Sequence, residues 1–404
     1  MDESTGGNTG GRTVKKFLMC RFGGIGDALI LTGVAKWVKE NEKDAHITYA
    51  CRGKEQVSML NNLPFLDRVI EIQRFPHPGL GSNCIKCGDG WETLEHAKER
   101  YDMVFDFVNS IENNSQHHQL AEKYGDWMAT QNSNYVNWAD MSLAWANIDP
   151  SKTGDEYKRP IYHVTEDERR WAKNQLQAYP RPLIGMSLYA SARARSYFNP
   201  QELVQEVFDE YKGATVLLWD NDRWLAIREG GMEDAVVQPD IRKSASIVEQ
   251  MDAIICADTG MSHIAEGVKT HSVTIYSTVP AWTRNKYYGF SHDVQVDIDC
   301  APCFTLHTHC PINRQRALEE LSDREKQIMN LSKQNMPPQQ AATILHTTPD
   351  KLMQEHQAVQ AKLDGVASVI PDCIVSVTAD MVIDKLGQAL SETYYENAME
   401  VQSA

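Results

Sequence analysis

The chain has 404 residues, too many for one ordinary hydrophobic core, so the length implies two domains. Its composition, 42% hydrophobic and 24% charged, is that of a soluble globular protein, and no run of about 18 apolar residues exists to span a membrane. A formal net charge of −15 excludes wholesale binding of a nucleic-acid backbone, which needs a basic face, and leaves room only for a local basic patch.

Residues 1–13, MDESTGGNTGGRT, are polar and glycine-rich and lack the apolar core of a signal peptide; they read as a disordered leader on a cytoplasmic protein. KFLMC then reads as a strand that passes through RFGGIGDALILTG (Arg21–Gly33) into the helix ALILTGVAKWVKEN. HITYAC follows as a strand, QVSMLNN as a short helix, and DRVIEI and YDMVFDFV as further strands. Between the last two lies RFPHPGLGSNCIKCGDGWE, polar and rich in Pro and Gly, which reads as a long loop. After a junction near residues 150–181 a second cycle begins. PLIGMSL, ATVLLW, DAIICA and HSVTIY are strands, and NPQELVQEVFDEY, SASIVEQM and SHIAEGV are helices between them. Such alternation predicts parallel sheets with helices on both faces, in two Rossmann-like, doubly wound α/β halves that face a cleft. Residues 316–363 read differently, as three or four short helices. Ser322 with Glu325 forms a capping box, and Thr348–Pro349 opens the last helix. The α/β pattern resumes at CIVSVTADMVIDKLGQAL.

Several residue sets carry chemistry. GGIG extends toward a dinucleotide G-x-G-x-x-G only weakly, because from Gly24 the last glycine falls on Leu29. Asp27 in the same loop reads, at minimum, as an N-cap for a helix starting at Ala28. DTGMSH places Thr259, Gly260 and Met261 at a helix N-terminus, where backbone N–H groups and the helix dipole favour phosphate; Asp258 and His263 flank them as orienting groups. Nine cysteines without an export signal point to metal or redox chemistry before disulfides. Cys300, Cys303, Cys310 and Cys373, spaced C-x2-C-x6-C with the fourth distant, suit a closed structural Zn²⁺ or iron site. Cys84 and Cys87 make half a site, to be completed by His77, His96 or a second subunit. Asp220 and Asp222 in WDNDRW read as loop or nucleoside-side contacts. No D-x-D metal pair stands out at the cleft, so no catalytic metal is expected.

Four pieces, in this order, resemble the heptosyltransferase family of glycosyltransferases (family 9): GGIGDALILTGVAKWVKE, YDMVFDF, CADTGMSHIAEGVKTHSVTIYS and CAPCFTLHTHC. The resemblance covers most of residues 15–315 and 367–390. It implies a GT-B fold, with an acceptor-side domain over 14–165 and a nucleotide-sugar domain over 166–404 that holds a helical insertion at 316–366. It also implies inverting transfer from a nucleotide-diphosphate sugar, ADP-heptose by family, to an acceptor hydroxyl, with Asp27 as general base. Gly23, Gly24 and Gly26 would then give the sugar clearance, and Asp258, Thr259, Gly260, Met261 and His263 would hold the donor. The family's phosphate-site Lys falls here on Ser196, in YASARARSYFNPQEL; Ser191 is kept, and Arg193 or Arg195 stands in for the Lys as a bidentate clamp. The acceptor class stays open among lipopolysaccharide core, protein Ser/Thr and a modified nucleic-acid base. Residues 321–363 resemble, more weakly, the helix-turn-helix of LuxR-type response regulators, but the would-be recognition helix is not basic. The alternative reading is a non-catalytic regulator, in which a degenerate transferase scaffold presents these helices to DNA or protein.

Overall fold

The computed structural model describes residues 14–73, 83–88, 90–108, 136–220, 223–236, 240–300, 303, 310–334, 336–367 and 372–403. The first unit begins with β1 (Lys15–Arg21), whose last five residues are all buried. Then come α1 (Ile25–Ile30), α2 (Thr32–Asn41), β2 (Ala45–Arg52), α3 (Gly53–Leu60) and β3 (Arg68–Gln73). The single helix expected from Ala28 to Asn41 is therefore two, meeting at Leu31. The stretch read as a long loop folds in its described part into β4 (Cys84–Cys87) and β5 (Gly90–Thr93), followed by α4 (Leu94–Lys98) and β6 (Met103–Asp106). The sheet order is β5-β4-β3-β2-β1-β6, parallel from β3 to β6, with the β4–β5 hairpin antiparallel at its edge.

Two helices, α5 (Trp138–Trp145) and α6 (Glu166–Leu176), lead into the second unit. Its first part is β7 (Leu183–Ser187), α7 (Pro200–Glu210), β8 (Thr215–Asp220), β9 (Arg223–Arg228) and β10 (Met232–Val236). It continues through α8 (Ile241–Val248), β11 (Ala253–Ala257), α9 (Gly260–Val268), β12 (Ser272–Tyr276), α10 (Trp282–Asn285) and β13 (Ser291–Gln295). The seven-stranded order is β10-β9-β8-β7-β11-β12-β13, with the β8–β9–β10 meander antiparallel and the rest parallel. Strands β7, β11 and β12 are buried along their whole length, as parallel strands covered on both faces must be. Four helices follow: α11 (Pro311–Glu319), α12 (Asp323–Lys333), α13 (Pro338–Ile344) and α14 (Pro349–Ala367). The Ser322–Glu325 capping box forms, and Thr348 Oγ1 accepts the N–H of Lys351 at the start of α14. These helices enclose small cores of their own, around Leu321, Met329 and Leu363 and around Ile328, Leu345 and Leu352. The chain ends in α15 (Asp372–Val375) and α16 (Ala379–Ser403), so the stretch expected to resume an α/β pattern is helical. Val382 and Leu386 of α16 pack with Val207 and Phe208 of α7 and Val273 of β12.

The two units share one continuous core. Met19, Leu29 and Met59 of the first belong to the same cluster as Ile254, Met261 and Ile264 of the second. Arg242 of α8 stitches them further, donating to the carbonyls of Met59 at 3.1 Å and His163 at 2.8 Å and to Glu168 at 2.6 Å. No described helix is long and apolar enough to cross a membrane.

Candidate active site

A cleft of about 630 Å³ opens where the carboxyl ends of β7 and β11 face the loop after β1. Crevices at the carboxyl ends of parallel strands are where open α/β sheets bind ligands. On one side it is lined by Gly24, Ile25, Gly26 and Asp27, and on the other by Ser191, Arg195 and Asp258 to Met261 with His263. Most of the residues singled out from sequence thus meet around one space.

Asp27 occupies the third position of α1, which starts at Ile25 rather than Ala28. Its carboxylate is held at both oxygens. Oδ2 accepts the N–H of Gly24 at 2.6 Å, and Oδ1 lies 3.1 Å from the guanidinium of Arg21. Arg21 is itself fully buried and donates to the carbonyl of Phe107 at 2.8 Å. The capping and chemical readings are therefore compatible. Its side chain keeps 17% exposure and faces the cleft. Two glycines of this loop are closely approached by side chains. A Cβ on Gly23 would collide with the Asp27 carboxylate, and one on Gly26 with the ring of His263. On the facing helix, a Cβ on Gly260 would come within 2.9 Å of Ile25. Gly26 and Gly260 let α1 and α9 touch at the floor of the cleft.

Across the cleft, Thr259 caps α9, its Oγ1 accepting from Met261 N–H at 3.3 Å. Asp258 is buried between two arginines. Arg195 donates to its carbonyl at 2.9 Å and sits 3.3 Å from its Oδ2, while Arg284 Nε lies 4.0 Å from Oδ1. Arg195 also donates to Ser191 Oγ at 3.0 Å. Of the two stand-in arginines, Arg195 lines the cleft, whereas Arg193 stacks over the ring of Phe198, 5.1 Å from its centroid. Ser196 is buried and serves its own turn, its Oγ accepting from Ala190 N–H at 2.9 Å. His263 Nδ1 lies 2.5 Å from the hydroxyl of Tyr288. Burial pushes this imidazole down to about 4, against a partial counter-effect from Asp258, so it is neutral at physiological pH.

The main residue missed from sequence is Arg284, in the four-residue α10. It is buried, lines the cleft, and its guanidinium lies 3.0 Å from the ring centroid of Trp138. Loss of hydration lowers its pKa to about 10, partly offset by Asp258 and Asp27, and the group stays cationic. Trp138 opens α5, whose cap Asn137 donates to the carbonyl of Trp282 at 2.8 Å, so the two units interlock beside this arginine. Nothing in the local sequence of either residue marks it.

The four cysteines Cys300, Cys303, Cys310 and Cys373 lie within electrostatic reach of one another. Burial raises the Cys300 thiol, and it pushes Cys373 up to about 12, with the other cysteines of the set adding to both shifts. Cys84 and Cys87 both lie on β4. They sit three apart on one strand, which turns them to opposite faces; Cys84 is fully buried and Cys87 is exposed, hydrogen-bonded to Glu92. His96 pairs with Glu99 at 3.4 Å, and His77 lies outside the described residues. Asp220 ends β8 with Arg223 at 3.5 Å, and Asp222 also lies outside the described residues.

Residues 143–311 match the family model glycosyltransferase family 9 (heptosyltransferase). Among solved structures, a family 9 glycosyl transferase from Veillonella parvula aligns over 86% of this chain and 97% of its own, with a TM-score of 0.50 at 11% identity. The ADP-heptose lipopolysaccharide heptosyltransferase II of E. coli aligns over 72% of this chain and 96% of its own, with a TM-score of 0.47 at 15% identity. The dodecameric iron-containing heptosyltransferase TibC, solved with ADP-D-beta-D-heptose, aligns over 86% and 76%, with a TM-score of 0.48 at 12% identity. No curated protein matches by sequence. The two facing sheets are thus the GT-B architecture of such enzymes.

Proposed function

We propose that this chain, which carries a glycosyltransferase family 9 (heptosyltransferase) domain over residues 143–311, is an inverting glycosyltransferase with Asp27 as its general base. The observation that carries the reading is the single cleft in which the Asp27 carboxylate faces Arg195, Asp258 and the N-terminus of α9. A nucleotide-diphosphate sugar lies with its diphosphate against that helix end and the guanidinium groups of Arg195 and Arg284. Free N–H groups, the helix dipole and two cations all favour negative charge there. The acceptor hydroxyl approaches from the Asp27 side. As its oxygen bonds to the anomeric carbon, the bond from that carbon to the diphosphate breaks and the hydroxyl proton passes to the carboxylate. The nucleoside diphosphate departs with the electron pair, its growing charge met by the same arginines. ADP-heptose is the donor the family points to, and an acceptor glycan, a protein Ser/Thr or a modified nucleic-acid base remain the acceptor classes. The cysteine set Cys300, Cys303, Cys310 and Cys373 holds a structural Zn²⁺ or iron in this reading, tying the segment before α11 to α15, away from the reaction.

The test is release of nucleoside diphosphate from a panel of nucleotide sugars, ADP-heptose first, with lipopolysaccharide core, peptides and hydroxymethylated DNA as acceptors. Turnover of at least one donor by the purified chain is expected. Failure to bind or turn over any nucleotide sugar refutes the enzyme reading.

A further inference from the structure

A second group of ligating side chains gathers at the far end of the C-terminal sheet. His271 immediately precedes β12, His292 lies on β13, and Glu392 and Glu396 sit one turn apart on α16. Because β11 and β12 are parallel, the start of β12 is at the opposite end of the strands from Asp258 and the cleft. We propose that His271 Nδ1, His292 Nε2 and a Glu392 carboxylate oxygen form a binding site for a divalent transition metal of the Zn²⁺ type.

The distances carry the argument. The two ring nitrogens are 3.2 Å apart, and Glu392 Oε2 lies 3.6 Å from each. Metal–ligand bonds of about 2.0–2.2 Å at tetrahedral angles separate neighbouring ligand atoms by roughly 3.3–3.6 Å. The three atoms thus already outline one face of such a tetrahedron. The outer contact fits too. His271 Nε2 lies 3.3 Å from Glu396 Oε2, a contact in which the ring N–H donates to the carboxylate and the Nδ1 lone pair is left aimed at the other two ligands. A cation satisfies all three groups at once. Two imidazoles and a carboxylate suit Zn²⁺, Cu²⁺ or Ni²⁺ rather than Mg²⁺ or Ca²⁺, and the two glutamates balance a 2+ charge. His271 is buried while the Glu392 side chain is 55% exposed, so the fourth position faces solvent and takes water. The ion pins α16 to β12 and β13, and its role is to hold the C-terminal helix on the sheet.

The test uses the full chain, stripped by a chelator and titrated with Co²⁺, followed by elemental analysis and visible absorption. His292→Ala is expected to bind one equivalent less than wild type while any thiolate-to-cobalt charge-transfer band, which reports the cysteine set, is unchanged. Glu396→Gln is expected to keep the stoichiometry and lower affinity roughly 10–100-fold. Equal stoichiometry in folded wild type and His292→Ala overturns the site, as does a lost equivalent that takes the thiolate band with it. Should His292→Ala fail to fold by circular dichroism, Glu392→Gln on the exposed face of α16 supplies the same comparison with the same two outcomes.

Discussion

Asp27→Asn removes the proposed base while keeping size and one acceptor oxygen. Loss of a positioned general base lowers turnover by roughly 10²–10⁴-fold. The structural cost is separate. Arg21 is fully buried and Asp27 is the carboxylate at 3.1 Å from it, so the variant leaves a buried guanidinium facing an amide. Removing one partner of a buried pair costs about 3–5 kcal/mol, and here the lower end applies, because Arg21 keeps the carbonyl of Phe107 and Asp27 retains 17% exposure. The variant should therefore fold with a lowered melting temperature. Donor turnover is measured by nucleoside diphosphate release, and nucleotide affinity by calorimetry. The expected pattern is kcat down by at least a hundredfold with nucleotide affinity close to wild type, since the diphosphate is held across the cleft. A folded variant that turns donor over within tenfold of wild type refutes the base assignment. A fall in nucleotide affinity parallel to kcat makes Asp27 a binding residue instead.

Arg195→Ala removes charge-assisted contacts on the diphosphate side and should weaken nucleoside diphosphate binding by roughly 10–100-fold, whereas Arg193→Ala, whose side chain stacks on Phe198, should leave it near wild type in the same calorimetric titration. Gly26→Ala drives a methyl group into the His263 ring at the α1–α9 contact; an overpacking cost of about 1–3 kcal/mol should appear in thermal unfolding, accompanied by loss of donor turnover. His263 titrates at about 4 when folded because burial disfavours its charge, against about 6.5 unfolded. The unfolded chain thus binds the extra proton first, so the stability tied to neutral His263 is full above pH 6.5 and declines as pH falls toward 4. The span corresponds to about 3 kcal/mol, and a His263→Gln variant should show a flatter melting-temperature profile over pH 4–7 than wild type.

The central strands were legible because parallel strands covered on both faces are nearly continuous apolar runs: KFLMC, PLIGMSL, DAIICA and HSVTIY all proved to be buried strands. Two of the edge strands were not. GWET and SHDVQ carry charged or polar groups at half or more of their positions, since an edge strand has one side in solvent, and they look like loop. CIVSVTADM is β-branched enough to suggest a strand, yet it folds as helix and turn. Ile374 and Val377 are buried in the C-terminal core with Val382 and Leu386 of α16, and that packing overrides local propensity. Leu31, where one amphipathic pattern became two helices, carries no Gly or Pro that would announce the break.

The loop around Asp27 shows which parts of a candidate site a sequence can announce. Asp27 and the Asp258–His263 run stand at strand-to-helix turns, where chain geometry forces Gly and capping residues into recognisable order. Arg21 and Arg284 belong to no such turn. Arg21 ends a strand as one more buried position, and Arg284 lies in a four-residue helix whose neighbours Thr283 and Asn285 are equally polar and equally buried. What holds them in place is a partner distant in sequence: the Phe107 carbonyl for Arg21, and Trp138 with Asp258 for Arg284. The same holds for the glycines. A glycine pattern reports that something approaches the backbone closely; at Gly26 and Gly260 the approaching groups, the His263 ring and Ile25, come from the opposite half of the protein. The contact it allows, α1 on α9, is what sets the proposed base at a fixed distance from the helix end that would hold the leaving group.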